Sequence, residues 1–352
     1  MTNDMRGELI SLVVRATVAS VLGYYTMKFV YDTLDPTRKQ KLKAEEKAKR
    51  LLQSLGINPA IQLNEHELMI ASNLVVPSQI TTSWQDIAGL EDVIQELRET
   101  VILPIQKRDL FRGSQLTQAP KGVLLHGPPG CGKTMMAKAT AKEAGTRFIN
   151  LDAAALTDKW YGESQKLASS VFTLAQKIQP CIIFIDEVDS LLRSRSSNDH
   201  EATAMIKTQF MQLWDGLPTN SECIVIVMGA TNRPKDVDRA FLRRMPATFH
   251  IGLPEFQQRK SILLEILRLE SFSEDVDFNA LARLAEGFSG SDLREMCRLA
   301  SVYRIRSMAR SDNVQALKPI SHDELLQAFR KLKESKVHCG TSPADFALPN
   351  LD

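Results

Sequence analysis

The sequence carries almost no net charge: 44 Lys and Arg stand against 42 Asp and Glu, a formal +2 over 352 residues. A chain without a basic excess presents no global electrostatic footprint for nucleic acid, and none is expected among its partners. It is also short of cysteine. The five present, Cys131, Cys181, Cys223, Cys297 and Cys339, are odd in number, widely spaced and contain no CxxC pair. That excludes a disulfide framework and a cysteine-based zinc site, and it fits a reducing compartment. All five are expected to be ordinary core or surface thiols. Nor is there a composition that signals long-range disorder, since 43% apolar and 24% charged residues lie close to globular averages. The length corresponds to about two domains.

The first positive feature lies near the N-terminus. Residues 9–31 read LISLVVRATVASVLGYYTMKFVY, about long enough to cross a bilayer, which takes roughly 20 mainly apolar residues. Arg15 and Lys28 interrupt the run, each toward one end, where a long side chain can snorkel to the headgroups. Tyr24, Tyr25 and Tyr31 sit where an aromatic belt would lie. A buried soluble helix would need an unpaired partner surface. A cleaved signal peptide would need a small-residue cleavage site, but Asp35-Pro36 and a basic helix follow instead. A surface helix would need a polar stripe. The expectation is a transmembrane helix over 9–31. Arg38, Lys39, Lys41, Lys43, Lys47, Lys49 and Arg50 crowd its C-terminal flank, against Arg6 alone before it. The positive-inside tendency then puts the bulk of the chain in the cytosol. Residues 37–55 read as a solvated linker helix, and Leu63–Val76 as another helix leading into the main domain.

The strongest signal follows. Val123-Leu124-Leu125 reads as a short buried strand, and Gly127-Pro128-Pro129-Gly130-Cys131-Gly132-Lys133-Thr134 matches the phosphate-binding loop pattern G-x-x-x-x-G-K-[ST]. A helix rich in Ala and Met, Met135 among them, follows until Gly145. Glycines let backbone N–H groups curl around phosphate oxygens, and the helix N-terminus adds positive potential. Lys133 can reach the β- and γ-phosphates of ATP, and the Thr134 hydroxyl can ligate Mg²⁺. An apolar run from Cys181 then ends in Asp186-Glu187. It suits a central parallel strand, whose C-terminal end is where ligands sit in open α/β sheets. Asp186 would hold Mg²⁺ and Glu187 would activate the attacking water.

A third apolar strand, Ile224–Ala230, ends in Thr231-Asn232-Arg233-Pro234. Asn232 there can reach the γ-phosphate or the lytic water, or simply initiate a turn before proline. Arg243-Arg244 fits either a solvated patch or an arginine finger that completes a neighbouring subunit's site. Trp160 and Tyr161 are aromatics of the kind usually found in cores, yet Thr157, Asp158, Lys159 and Glu163 around them argue for an exposed loop. Ser289 or Ser291 could cap a helix, with Asp292 on its dipole.

Together these residues resemble the AAA+ family, and within it the meiotic clade, over roughly Trp84–Lys333. The resemblance implies an α/β fold: a three-layer P-loop large domain with a parallel sheet, plus a small α-helical lid domain. It implies ATP and Mg²⁺, a homo-hexameric ring, and an adenine-side stretch Ser83–Leu90 that includes Asp86, Ile87 and Ala88. It implies that the lid motif Gly287–Asp292 brings Gly290 and Ser291 to the nucleotide. It makes Trp160 and Tyr161 the first pore loop and sets His200 in the second, where a merely solvated histidine stays open. His126 stands where relatives often carry an aromatic residue, with no expected loss of function.

The likeness is closer still to the branch anchored in the outer mitochondrial membrane. Asp35–Lys41, Thr157–Ser164 and Ser196–Ala204 carry it. It implies a membrane-anchored translocase that extracts mislocalised tail-anchored proteins from mitochondrial, and also peroxisomal, membranes. The expected layout is a tail over 1–8, the span over 9–31, linker helices over 32–83, the large domain over 84–253, the lid over 254–335 and a tail over 336–352. Two other readings compete. One is a severing or disassembly ATPase of the same clade, which usually carries a recruitment domain that the short linker leaves little room for. The other is a nucleotide-switched scaffold, which would not depend on Trp160 or Tyr161.

Overall fold

The computed structural model describes residues 63–111, 118–151, 163–191, 201–217, 223–309 and 318–337, with the helical residues 17, 20, 22–24, 26, 27, 46, 50 and 53. The chain divides into two units, Met1–Gly56 and Ile57–Asp352. In the first, Thr26 Oγ1 donates back to the Gly23 carbonyl at 3.0 Å and Arg50 pairs with Glu46 at 2.6 Å, both contacts that a helical backbone allows. Among the described residues no helix is long and apolar enough to cross a membrane. Most of the expected 9–31 span lies outside them.

The second unit is built on a six-stranded sheet in the order β1-β3-β4-β5-β2-β6. The strands are β1 Leu74–Val75, β2 Gly122–His126, β3 Arg147–Leu151, β4 Cys181–Ile185, β5 Val225–Thr231 and β6 Ala247–His250. Every residue of β2, β4 and β5 is buried. Unbroken apolar runs such as Cys-Ile-Ile-Phe-Ile fit strands covered on both faces, as parallel sheets require. The packing on one side gathers Val123, Leu125, Met136, Phe148, Phe184 and Met228 into a single cluster with Leu97 and Val101. Each such side chain contributes about 1.5–3 kcal/mol by leaving water.

Two expectations need correction. The sheet is mixed and not wholly parallel. Strands β2 to β6 run parallel, but β1 pairs antiparallel with β3, with Leu74 opposite Ile149 and Val75 opposite Phe148. And Leu63–Val76 is not one helix. The helix is Glu65–Ala71, closed by a turn at Ser72-Asn73 before β1 begins. Pro77 drives Val76 out of helical space, and β-branched Val75 and Val76 fit a strand better.

The helices after residue 254 have their own core. Leu263 and Leu267 of helix Phe256–Leu267 meet Leu281, Phe288, Leu293, Met296, Leu325 and Phe329. The other helices there are Phe278–Leu284, Gly290–Ala309 and His322–Val337. Leu264 of helix Phe256–Leu267 points away from that core and is 42% exposed. The cysteines described, Cys131, Cys181, Cys223 and Cys297, are free thiols. Cys339 lies outside the described residues.

Candidate active site

β4, β5 and β2 are neighbours, so their C-terminal ends open side by side. β2 delivers the loop 127–132, β4 delivers Asp186 and Glu187, and β5 delivers Asn232. Helix Gly290–Ala309 closes on the same place from the other core: the Ser291 amide donates to the Gly130 carbonyl at 3.0 Å. Its N-cap is Ser289, whose amide and hydroxyl donate to Asp292 at 2.7 and 2.6 Å. That leaves Ser291 to face the loop, and settles which serine caps.

A cavity of about 750 Å³ occupies this junction. Of the residues expected from sequence, it is lined by Asp86, Ile87, Ala88, Pro129, Gly130, Cys131, Gly132, Lys133, Thr134, Met135, Asp186, Glu187, Asn232, Gly290 and Ser291. Gly127 and Pro128 stand behind the wall, where their carbonyls accept from Lys133 Nζ at 2.9 and 2.7 Å. Arg243 and Arg244 lie outside it. Trp160, Tyr161 and His200 fall outside the described residues.

The loop's shape rests on backbone that only glycine adopts freely. Gly127, Gly130 and Gly132 have φ of 145°, 76° and 97°. Helix Lys133–Ala144 starts at Gly132 without any side-chain cap. Its first N–H groups are thus left to a ligand, and their dipole favours an anion. Lys133 is 7% exposed, and burial pushes its ammonium below the usual range despite the nearby Cys131, Asp186 and Asp189. A desolvated cation held beside a nest of N–H donors suits a polyphosphate.

Thr134 Oγ1 donates to Asp186 Oδ2 at 2.7 Å, and the other carboxylate oxygen accepts from the Glu187 amide at 3.0 Å. A hydroxyl and a carboxylate in contact are hard oxygen donors, and they suit Mg²⁺, which takes one or two such ligands and fills the rest with water and phosphate. When bound, that ion would neutralise phosphate charge. Among the described residues Glu187 is the non-glycine residue with positive φ, at 49°. A left-handed glutamate costs conformational energy, and such strain gathers at functional sites. Asp189 is tied in as well: Thr231 Oγ1 donates to it at 2.6 Å, joining the ends of β4 and β5.

Sequence reasoning did not find the far wall. Gln258, Ile262, Glu265 and Ile266 come from helix Phe256–Leu267, Arg268 and Leu269 from the turn that follows it, and Arg294 from helix Gly290–Ala309. A signal existed. Ile262, Leu263, Leu264, Ile266, Leu267 and Leu269 make an apolar band wider than one core contact needs. Leu263 and Leu267 fill the core, while Ile262 and Ile266 pack at its edge and, with the exposed Leu269, also line the cavity, an apolar face of the kind a purine ring requires. Asp86, expected beside the base, spends its carboxylate on the Ser83 amide and hydroxyl at 2.6 and 2.8 Å, and those bonds hold it below the usual carboxylate range.

A Cβ at Gly130 would lie 2.7 Å from Ser289 Oγ and 3.0 Å from Ser291 Cβ. Gly130→Ala is therefore expected to force the loop and the capping helix apart. Titration with a fluorescent ATP analogue should show affinity weakened about tenfold or more, given strain of order 1–3 kcal/mol. Unchanged affinity would mean that this contact opens freely.

Comparison with known proteins agrees with this geometry. The family model "ATPase family associated with various cellular activities (AAA)" matches residues 123–253, and "AAA+ lid domain" matches 275–318. The chain is 56% identical over 335 residues to the outer mitochondrial transmembrane helix translocase of Xenopus tropicalis, covering 94% of this chain and 93% of that one. Among solved structures, the FIGL-1 AAA domain superposes with a TM-score of 0.68 at 32% identity, over 83% of this chain and 99% of that one. A katanin structure gives 0.64 at 29% identity, over 78% and 92%.

Proposed function

The chain belongs to the AAA family of ATPases, and from that premise we propose that it is an ATP-driven translocase of the outer mitochondrial membrane. It hydrolyses ATP and extracts the transmembrane helices of other proteins. The observation that carries this is the 56% identity to a transmembrane helix translocase along nearly the whole of both chains. The finer parts of the reading are proposals too. Residues 9–31 anchor the chain, with the ATPase on the cytosolic side. Subunits assemble into a hexameric ring, and Trp160, Tyr161 and His200 line its pore. Substrates are mislocalised tail-anchored proteins, with peroxisomal membranes as a second address. A severing or disassembly ATPase of the same clade is the second reading; the likeness to the FIGL-1 AAA domain and the katanin structure, at 32% and 29% identity, supports shared architecture more than shared work.

In the site, Lys133 and the loop amides bind and orient the phosphates, Thr134 and Asp186 would hold Mg²⁺, and Glu187 accepts a proton from the attacking water. Asn232 positions that water or the γ-phosphate. Extraction is tested with the full-length protein in liposomes that carry a tail-anchored substrate. ATP-dependent release by the wild type is expected. Trp160→Ala should reduce release at least about tenfold more than it reduces hydrolysis, because an aromatic grip acts on substrate and not on ATP. ATP turnover without any release would end the translocase reading and move disassembly ahead.

A further inference from the structure

We infer that Glu67 is a positioning residue: it locks the segment 64–75 in one register onto both β3 and helix Glu163–Lys177, the elements that lead into and out of residues 152–162. The inference deepens the translocase reading and rests on it for the loop's role.

Helix Glu65–Ala71 opens with a capping box. The Glu67 amide donates to Asn64 Oδ1 at 2.7 Å, and the Asn64 amide donates to Glu67 Oε2 at 2.9 Å. A capping glutamate needs nothing further and commonly faces water. Glu67 instead is 1% exposed. Its carboxylate takes two more donors from another helix, Glu163–Lys177: Thr173 Oγ1 at 2.7 Å and Lys177 Nζ at 2.7 Å. Thr173 and Lys177 are four residues apart and share a face. Burial alone would raise the Glu67 pKa, but these three donors outweigh it and hold the carboxyl below its usual range. A few residues on, β1 pairs with β3, and the Asn150 amide donates to the Asn73 carbonyl at 3.2 Å. Thus one short segment grips β3, the strand that leads into residues 152–162, and helix Glu163–Lys177, which leads out of them. Those residues include Trp160 and Tyr161.

Adhesion does not require a carboxylate here. Ile70, Ala71 and Leu74 are already buried, and apolar side chains of similar volume often replace a buried ion pair without loss. What three donors on one buried carboxylate supply is a single register. A leucine could slide along helix Glu163–Lys177, whereas Glu67 cannot leave its place without stranding a charge.

The test uses the full-length chain in liposomes, with Glu67→Gln as the main variant and the milder Thr173→Val beside it should the first not fold. Amide exchange is followed in both stems together with substrate released per ATP hydrolysed. Expected is exchange about tenfold faster across 147–151 and 163–177, with helix Lys133–Ala144 protected as before. Release per ATP should fall about fivefold while basal hydrolysis stays within about twofold. Faster exchange confined to 64–71, or wild-type release per ATP, overturns the inference. If the wild type itself releases nothing, the translocase reading falls. Exchange then decides alone: loosening of both stems keeps the lock, and unchanged protection ends it.

Discussion

Glu187→Gln is expected to lower steady-state ATP hydrolysis by about 10³ while leaving ATP bound as tightly as before or tighter. The exchange is isosteric and keeps hydrogen-bonding capacity, but an amide cannot accept a proton from water. Among the described residues the Glu187 carboxylate has no hydrogen-bond partner of its own, while its backbone is held. The amide donates to Asp186 Oδ1, and its carbonyl accepts from the Ser190 amide at 2.8 Å. A fixed backbone at φ 49° with an uncommitted carboxylate on the cavity wall is what aiming at a water requires. Glutamine tolerates that backbone about as well as glutamate, so a lost rate would not reflect altered strain. Phosphate-release assays and equilibrium titration with a fluorescent nucleotide, run together, decide it. A loss under about tenfold would remove Glu187 from the chemistry. A parallel loss of binding would mean that it helps to hold the nucleotide or Mg²⁺.

Why this site could be found in the sequence is physical. Phosphate needs consecutive backbone N–H groups, a left-handed loop and a helix start, and all three are specified within the eight residues Gly127–Thr134. The end of β4 is similarly local: an unbroken apolar strand followed by two carboxylates. What escaped was decided across the chain. β1 has two residues, too few for periodicity to mark, and its antiparallel pairing depends on β3 being an open edge. Ile262 and Ile266 look like core and do pack at its edge; that they also line the cavity with Leu269 follows only from where the loop 127–132 lies. The bond from Thr231 to Asp189 joins residues 42 apart. Glu67 reads in sequence as a charge on a short linker helix, and its burial follows only from where helix Glu163–Lys177 lies.

The two arginines could not be told apart in sequence, and the structure separates them. Arg244 is committed within its own chain: Nε and Nη2 pair with Asp215 at 2.8 and 2.7 Å, and Nη1 donates to the Ala240 carbonyl at 2.7 Å. The hydrogen bond and charge of Asp215 raise its pKa further, and Asp215 is lowered in return. Arg243 is exposed, and among the described residues its guanidinium makes no ion pair. Neither lines the cavity of its own chain.

Arg243 is therefore the residue proposed to reach a neighbour's site. Arg243→Ala should cost about 10³ in hydrolysis with ATP affinity within about threefold, because the finger acts on transition-state charge. Arg244→Ala breaks a half-exposed pair worth about 1 kcal/mol at most, and should cost about tenfold or less. The decisive measurement mixes two inactive proteins before assembly. Arg243→Ala keeps an intact Glu187, and Glu187→Gln keeps an intact finger. In randomly mixed rings about a quarter of the sites join a competent Glu187 to a competent Arg243, and about that share of wild-type activity should return. In rings shown to contain both chains, absence of recovery would confine Arg243 to its own subunit and leave Arg244, released from Asp215, as the candidate that reaches across.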